Sequence, residues 1–246
     1  MKVLRGLLLA ACLAFGTTSA GATSYKHEKA MQATFVLYGR STGSGIDHKA
    51  LCTAFAYKEA IDGYYLLTAG HCFIGTGAPE DVTYLVADGQ IVADPKNLQP
   101  VEVLNAVDDG KMDVAELHLK TTKKYPILEL DDKPVKIDDK VFFVGYPEMV
   151  SQVVYTGRVG SQLIQKTCDD GYEGDLCTGR FFVQTGVGHG ASGAPVISEK
   201  SGKVVGVVEG HLFENGVAVV PAPAIDVYYA KAGHAIKNGQ SEEKTP

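Results

Sequence analysis

Three short segments of the chain carry residue types that can do acid–base and nucleophilic chemistry. In the first, an apolar run ends in T-A-G-H-C, which places the imidazole of His71 in a small-residue turn beside Cys72. In the second, Asp113 stands between a turn and an apolar run. In the third, Ser192 lies in G-H-G-A-S-G-A-P, where glycines allow a sharp turn whose amide N–H groups can point at a substrate. Singly, these are an ordinary turn histidine, a solvated aspartate and a Gly/Ser turn; together they offer a base, an orienting carboxylate and a nucleophile.

In the order histidine, aspartate, serine, the three segments resemble those of the chymotrypsin-like (trypsin-fold) serine proteases, most closely the small secreted bacterial members. The resemblance extends over nearly the whole sequence after residue 22. It implies that Ser192 is the nucleophile, that His71 is the general base and that Asp113 fixes the imidazole tautomer. It also implies that the backbone N–H groups of Gly190 and Ser192 form an oxyanion hole. The predicted reaction is peptide-bond hydrolysis through an acyl-enzyme, with protein or peptide substrates and no metal or organic cofactor.

The same resemblance places the specificity pocket, where this sequence departs from the trypsin pattern. The expected pocket base is a glycine rather than the acid that selects arginine or lysine. In that pocket, Glu209 would attract a basic substrate side chain, whereas the nearby histidines would attract an acidic one. The alternative is that these residues face solvent from their strands and do not contact the substrate. The substrate specificity therefore stays open. The expected pocket residues are Gly186, Val187, His189, Glu209, Gly210 and His211.

Activation is a second departure. Animal members of the family have an aspartate immediately before the serine, and it pairs with a newly cleaved N-terminus. Ala191 occupies that position here, and the chain has no Ile-Val-Gly-Gly start. We therefore expect activity without that cleavage, or a different form of control.

The elements that must position these residues are predicted to be β strands. Short apolar runs rich in Val, Leu, Phe and Tyr recur between turn residues. They fall into two sets of six, at 34–38, 51–57, 64–68, 82–87, 101–104 and 114–119, and at 140–145, 153–159, 181–184, 195–198, 204–209 and 217–220. Only 222–235 is predicted to be helical. The fold class is therefore all-β, and the resemblance implies two six-stranded antiparallel β-barrels followed by a C-terminal helix.

The first 22 residues are typical of a secretory signal: Lys2 and Arg5 precede an apolar run, and small residues end it. The run is too short to cross a bilayer. We predict a leader at 1–22, an N-terminal barrel at 23–130, a C-terminal barrel with its helix at 131–235 and a polar tail at 236–246. The mature protein is expected to be secreted or periplasmic, with lipidation at Cys12 as a weaker alternative.

Four cysteines remain after the leader is removed, Cys52, Cys72, Cys168 and Cys177. In an oxidising compartment they predict disulfides, with three possible pairings, of which the pairing of neighbours in sequence closes short loops. Zinc binding is the weaker interpretation because no C-x-x-C pair occurs. The acidic stretch 169–175 between the last two cysteines does not have the spacing of an EF-hand loop, so a solvated turn is favoured over a calcium site.

Charge and composition exclude other classes of protein. Hydrophobic residues make up 45% and charged residues 21%, which is ordinary for a globular protein. The net charge is −6, and without Lys2 and Arg5 it is −8, so nothing favours nucleic-acid binding. We expect a monomer without a transmembrane segment.

Three rival interpretations remain. The sequence G-R-S-T-G at 39–43 matches the nucleophile elbow of α/β-hydrolases, which would make Ser41 the nucleophile, but no helical pattern follows it. A secreted binding module could keep the barrels without catalysis. A serine esterase would use the same groups on a different acyl substrate.

Overall fold

The structure of the protein is a computed structural model that describes residues 18–41, 49–73, 82–88, 97–108, 112–147, 151–167, 176–186, 190–212 and 215–231. Within this part of the chain, twelve strands form two closed antiparallel barrels. The predicted fold class is confirmed. Because both barrels are antiparallel, the fold is not that of an α/β-hydrolase, and Ser41 ends a strand rather than starting a helix.

The N-terminal barrel has the spatial order β1-β2-β3-β6-β5-β4, and the C-terminal barrel the order β10-β11-β12-β9-β8-β7. The first contains β1 (Thr34–Ser41), β2 (Lys49–Ala60), β3 (Gly63–Thr68), β4 (Val82–Asp88), β5 (Gln99–Asp108) and β6 (Asp113–Lys120). The second contains β7 (Lys140–Gly145), β8 (Val153–Thr167), β9 (Leu176–Gln184), β10 (Pro195–Ser198), β11 (Val204–His211) and β12 (Gly216–Pro221).

Strand alternation fills the interior of each barrel and leaves a second apolar face for the contact between them. Phe35 and Leu37 of β1 point into the N-terminal barrel, as alternate residues of a strand must. In the C-terminal barrel, Val217 and Val219 of β12 do the same. A third cluster joins the two barrels and the terminal helix; its members include Phe55, Leu67, Val144, Val207, Val220 and Tyr229. The site described below lies where strands from both barrels meet.

Two helices flank the barrels. α2 (Ala222–Lys231) follows β12, as predicted for 222–235, of which the structure describes residues to 231. The other, α1 (Thr18–Gln32), was not predicted, because its sequence lacks a regular apolar stripe. It is held by tertiary contacts: Lys26 Nζ donates to the Lys200 carbonyl at 3.1 Å, and the His27 and Phe142 rings lie 4.3 Å apart. Neither described helix is long and apolar enough to span a membrane.

Most strands are longer than predicted, and the largest extensions at a single end are those of β8 and β9. β8 was predicted to end at 159 and continues to Thr167, and β9 was predicted to begin at 181 and begins at Leu176. The added residues pair with each other, Lys166 opposite Cys177 and Thr167 opposite Leu176. Their sequences mix polar residues with Leu163, Ile164 and Leu176 and show no sustained apolar run, so the sequence pattern did not mark these ends. The cross-strand pairing defines them in the structure.

Candidate active site

His71 lies in a short 3₁₀ turn, Gly70–Cys72, which follows the end of β3. Gly70 is required there, because a Cβ atom would lie 1.9 Å from the carbonyl oxygen of Val107 on β5. The next residue, Cys72, forms a disulfide with Cys52 of β2, with the two Cα atoms 6.4 Å apart. This confirms one of the predicted disulfides. The turn that carries the imidazole is therefore held on one side by the close approach of Gly70 to β5 and on the other by the disulfide to β2.

Asp113, the first residue of β6, binds His71 through both carboxylate oxygens. Oδ2 lies 2.8 Å from the imidazole Nδ1. Oδ1 accepts a hydrogen bond from the backbone N–H of His71, also at 2.8 Å. The carboxylate is 1% exposed, whereas the imidazole is 38% exposed. An ionised Asp113 only accepts hydrogen bonds, so Nδ1 carries a proton and Nε2 of the neutral ring is left as the acceptor.

The surroundings of His71 raise its pKa above the ordinary value. Burial lowers the pKa, but the hydrogen bond and negative charge of Asp113 outweigh it, helped by the charges of Asp108 and Glu209. Asp108 is the cross-strand partner of Asp113, and Glu209 belongs to β11 of the other barrel. Carboxylates from both barrels therefore stabilise the imidazolium.

Ser192 lies in a glycine-flanked turn before β10. Gly190 and Gly193 have φ angles of 98° and 83°, a region that glycine enters without strain. A Cβ atom on Gly193 would lie 2.1 Å from the Thr53 carbonyl oxygen and 2.3 Å from Thr68 Oγ1. Since Thr68 ends the strand that leads to His71, the serine turn packs directly against the segment that carries the imidazole.

Some backbone amides of the serine turn have a hydrogen-bond acceptor, whereas others have none among the described residues. Gly193 N donates to the Val208 carbonyl at 2.8 Å and Ala194 N to that of Ala191 at 2.9 Å. The amides of Gly190 and Ser192 donate to no other residue in the described part of the chain. The Ser192 hydroxyl donates to the backbone carbonyl of Glu209 at 3.1 Å.

The expected pocket residues have different surroundings. A Cβ atom built on Gly186 or Gly210 would meet no atom of the described residues within 4 Å, so this part of the chain leaves space beside both. His211 is exposed at the end of β11. Val187 and His189 lie outside the described residues.

Glu209 has a partner that the sequence did not reveal. Its Oε2 accepts a hydrogen bond from Arg180 Nε at 2.9 Å, and the two side chains are 13% and 2% exposed. Arg180 lies on β9, which is separated from β11 by β12. An arginine before a run of apolar residues gives no sequence signal of such a contact, because only the order of strands in the barrel brings β9 near Glu209.

The cysteines at the site do not form a metal centre in this structure. Ligand atoms of Cys52, His71 and Cys72 lie within 4.8 Å of one another. The two cysteines are joined in a disulfide, so they provide no thiolate. The predicted pairing of Cys168 with Cys177 and the acidic stretch 169–175 lie outside the described residues or side chains.

Two antiparallel six-stranded barrels define the class of chymotrypsin-like peptidase folds. Residues 52–207 match the trypsin-like peptidase domain, and the chain belongs to this family. The resemblance inferred from the sequence is thereby confirmed.

Solved structures of the Rv3671c protease from Mycobacterium tuberculosis H37Rv are similar in fold. The active form superposes with a TM-score of 0.66 at 21% identity, over 89% of this chain and 88% of that one. An inactive form gives a TM-score of 0.63 at 22% identity, over 87% of this chain and 95% of that one. No curated protein sequence matches the chain.

Proposed function

We propose that this protein is an exported serine endopeptidase that hydrolyses peptide bonds through Ser192, His71 and Asp113. The observation that carries the proposal is the buried carboxylate of Asp113, which holds both Nδ1 and the backbone N–H of His71 at 2.8 Å. It occurs in a chain of the trypsin-like peptidase domain family, whose glycine-flanked serine turn packs against Thr68 at the end of the strand that leads to His71.

In the proposed reaction, the Ser192 hydroxyl leaves the Glu209 carbonyl and donates to Nε2 of His71. As Oγ attacks the substrate carbonyl carbon, its proton passes to Nε2, and Asp113 stabilises the imidazolium. The imidazolium then protonates the leaving amine, and an ester joins the acyl group to Ser192. A water molecule, deprotonated by the same imidazole, hydrolyses this ester and regenerates the serine hydroxyl.

The proposed oxyanion hole consists of the amides of Gly190 and Ser192. Both are without an acceptor among the described residues, whereas the following two amides of the turn are occupied. Donors of this kind favour the tetrahedral intermediate because negative charge develops on the substrate oxygen, and each contributes about 10²–10³ in kcat.

For specificity, we propose that the pocket admits a side chain beside Gly186 and Gly210 without demanding a positive charge. The only described acid of the expected pocket, Glu209, is already paired with Arg180 at 2.9 Å. For activation, Ala191 is 2% exposed and packs in the apolar core of the C-terminal barrel, which supports a mechanism without an ion pair at that position. The leader that supports export falls largely outside the described residues.

A fluorophosphonate probe tests the nucleophile, because it reacts covalently with an activated serine. We expect the mature protein to be labelled at Ser192 and to cleave casein. Ser192→Ala should abolish labelling and lower kcat on the order of 10⁶-fold. Ser198→Ala is the matched control, since Ser198 lies on β10 and its Oγ accepts backbone amides of its own turn.

The alternatives give different results in the same assay. Cleavage of small esters without cleavage of casein would identify an esterase. A correctly folded protein with neither labelling nor turnover would identify a binding module that has kept the fold and lost catalysis.

A further inference from the structure

Thr53 directs its polar atoms at the segments around the proposed nucleophile. It lies on β2 beside Cys52 and is 0% exposed. Its backbone N–H donates to the Ser192 carbonyl at 2.8 Å, and its Oγ1 donates to the Gly190 carbonyl at 2.8 Å. Its own carbonyl accepts the Thr68 hydroxyl at 2.7 Å. One buried residue of the N-terminal barrel is therefore bonded to both ends of the 190–192 turn of the other barrel.

The direction of the side-chain bond follows from a third contact. The backbone N–H of Tyr146 donates to Thr53 Oγ1 at 3.3 Å, so the hydroxyl oxygen is the acceptor there. A hydroxyl has one hydrogen, and the Gly190 carbonyl can only accept, so the hydrogen goes to Gly190.

The turn needs such an anchor because of its glycine. Gly190 has a φ of 98°, and glycine enters other conformations at little cost. The Gly190 carbonyl belongs to the 190–191 peptide group, which lies between the peptide group that carries the Gly190 N–H and the one that carries the Ser192 N–H. If this carbonyl turned away, those two flanking peptide groups would lose their fixed orientation relative to each other, and the two amides would no longer converge on one point. The Thr53 backbone bond alone fixes only the far end of the turn, at the Ser192 carbonyl.

We propose that the Thr53 hydroxyl is a positioning group that holds the Gly190 carbonyl and thereby aims the amides of Gly190 and Ser192 at the substrate oxygen. This inference rests on the proposed endopeptidase function. The hydroxyl touches no reacting atom; it acts through the backbone of the turn. Its effect belongs to the transition state, where the oxyanion forms, rather than to substrate binding.

Thr53→Val is the decisive variant, because valine keeps the shape and the backbone N–H and removes only the hydroxyl. We expect kcat to fall about 10- to 100-fold, the range that misplaced oxyanion donors produce, with KM little changed. Thr53→Ser, which restores the hydroxyl, should recover most of the loss. Valine places a methyl group against the Gly190 carbonyl, and Thr53→Val could fail to fold for that reason. In that case Thr53→Ala, which has no such methyl group, is compared with Thr53→Ser instead.

Thr34→Val is the matched control. Thr34 is also 0% exposed, and its hydroxyl donates to the Ala30 carbonyl at 2.7 Å, between α1 and β1. This variant loses a buried hydroxyl hydrogen bond of the same kind far along the chain from the serine turn. We expect its kcat and KM to equal those of the wild type even where its melting temperature falls.

A peptide aldehyde separates positioning from general loosening, because its adduct with Ser192 places an oxygen where the oxyanion forms. Thr53→Val should weaken aldehyde inhibition by the same factor as kcat/KM, and leave inhibition by the matching peptide alcohol unchanged. The inference is overturned if Thr53→Val behaves like Thr34→Val, if only KM changes, or if Thr53→Ser fails to restore kcat. A wild-type protein without labelling or turnover would instead overturn the proposed function itself.

Discussion

The two halves of the candidate site are held in different ways. The His71 half is built within one barrel: Asp113 is its hydrogen-bond partner, and the Cys52–Cys72 disulfide ties its turn to β2. The serine half is held across the contact between barrels, by Thr53 of β2 on the Gly190 and Ser192 carbonyls. The contacts that orient the histidine therefore lie within its own barrel. The serine turn is bonded to β11 of its own barrel through Gly193 N and the Ser192 hydroxyl, and it depends in addition on Thr53 of the other barrel.

The separations along the sequence support this comparison. Asp113 and His71 are 42 residues apart, and Thr53 and Gly190 are 137 apart. Contacts between distant residues form only after the entropy of closing the intervening chain has been overcome. Substitutions in the histidine half should therefore act within the N-terminal barrel, whereas a substitution at Thr53 should act on the serine turn across the contact between the barrels.

The largest expected effect is that of Asp113→Asn, which breaks the histidine half without changing its shape. An amide in place of the carboxylate no longer stabilises the imidazolium and favours the wrong tautomer. We expect kcat to fall about 10⁴-fold, a magnitude taken from reference enzymes of this family. Steady-state kinetics on a peptide substrate measures it.

Asp131→Asn is the control for this substitution. Asp131 is also buried and accepts hydrogen bonds from Lys133 and Ser201, and none of these contacts involves His71 or Ser192. If both variants lose activity equally, the role of Asp113 is structural rather than catalytic.

An intermediate effect is expected when Cys52 and Cys72 are both replaced by alanine. The disulfide joins residues 20 apart, and its loss should lower the free energy of unfolding by about 3 kcal/mol. Denaturant unfolding measures the change. Amide hydrogen exchange should become faster first at residues 69–73, in the histidine half. A loss of protection confined to residues 190–194, in the serine half, would contradict the division of the site into two halves. The variant Cys168→Ala/Cys177→Ala, which leaves the histidine turn tied to β2, is the matched comparison.

The smallest expected effect is a shift of the pH profile. His71 must be neutral to act as a base, so kcat/KM should rise with pH around a pKa above the ordinary value of about 6.5. Glu209→Gln removes one of the charges that raise this pKa and leaves the Arg180 cation unbalanced, so the profile should move to lower pH. The exposed pair of Glu129 and Lys203 provides the control Glu129→Gln, which should not move it.

The same raised pKa has the opposite consequence for folding. A group whose pKa is higher in the folded state contributes its full stabilisation below the unfolded pKa and loses it as pH rises through the folded pKa. The contribution of the His71–Asp113 pair to stability should therefore decline over the pH range in which activity rises. Thermal melts across that range, compared with those of His71→Ala, measure it. Parallel changes of activity and stability would show that another group controls the profile.

The sequence predicted the existence of the strands better than their first and last residues. Short apolar runs between turn residues marked all twelve strands in the described part of the chain, and β7 and β10 have the predicted bounds. The ends of β8 and β9 were missed because the sequence there has no sustained apolar run, and the two ends are paired with each other across the strands. α1 was missed because its docking depends on partners such as Phe142 that are distant in sequence.

The sequence by itself determined which residue types are available for the proposed chemistry: an imidazole after a strand, a carboxylate before one and a hydroxyl among glycines, each with a local signature. Only the tertiary structure decided what surrounds them, namely Thr53 on the serine turn, Arg180 on Glu209 and Asp108 beside Asp113. The physical reason is that barrel closure and barrel packing set these contacts. A local pattern encodes the period of a strand, but not which distant strand will lie next to it.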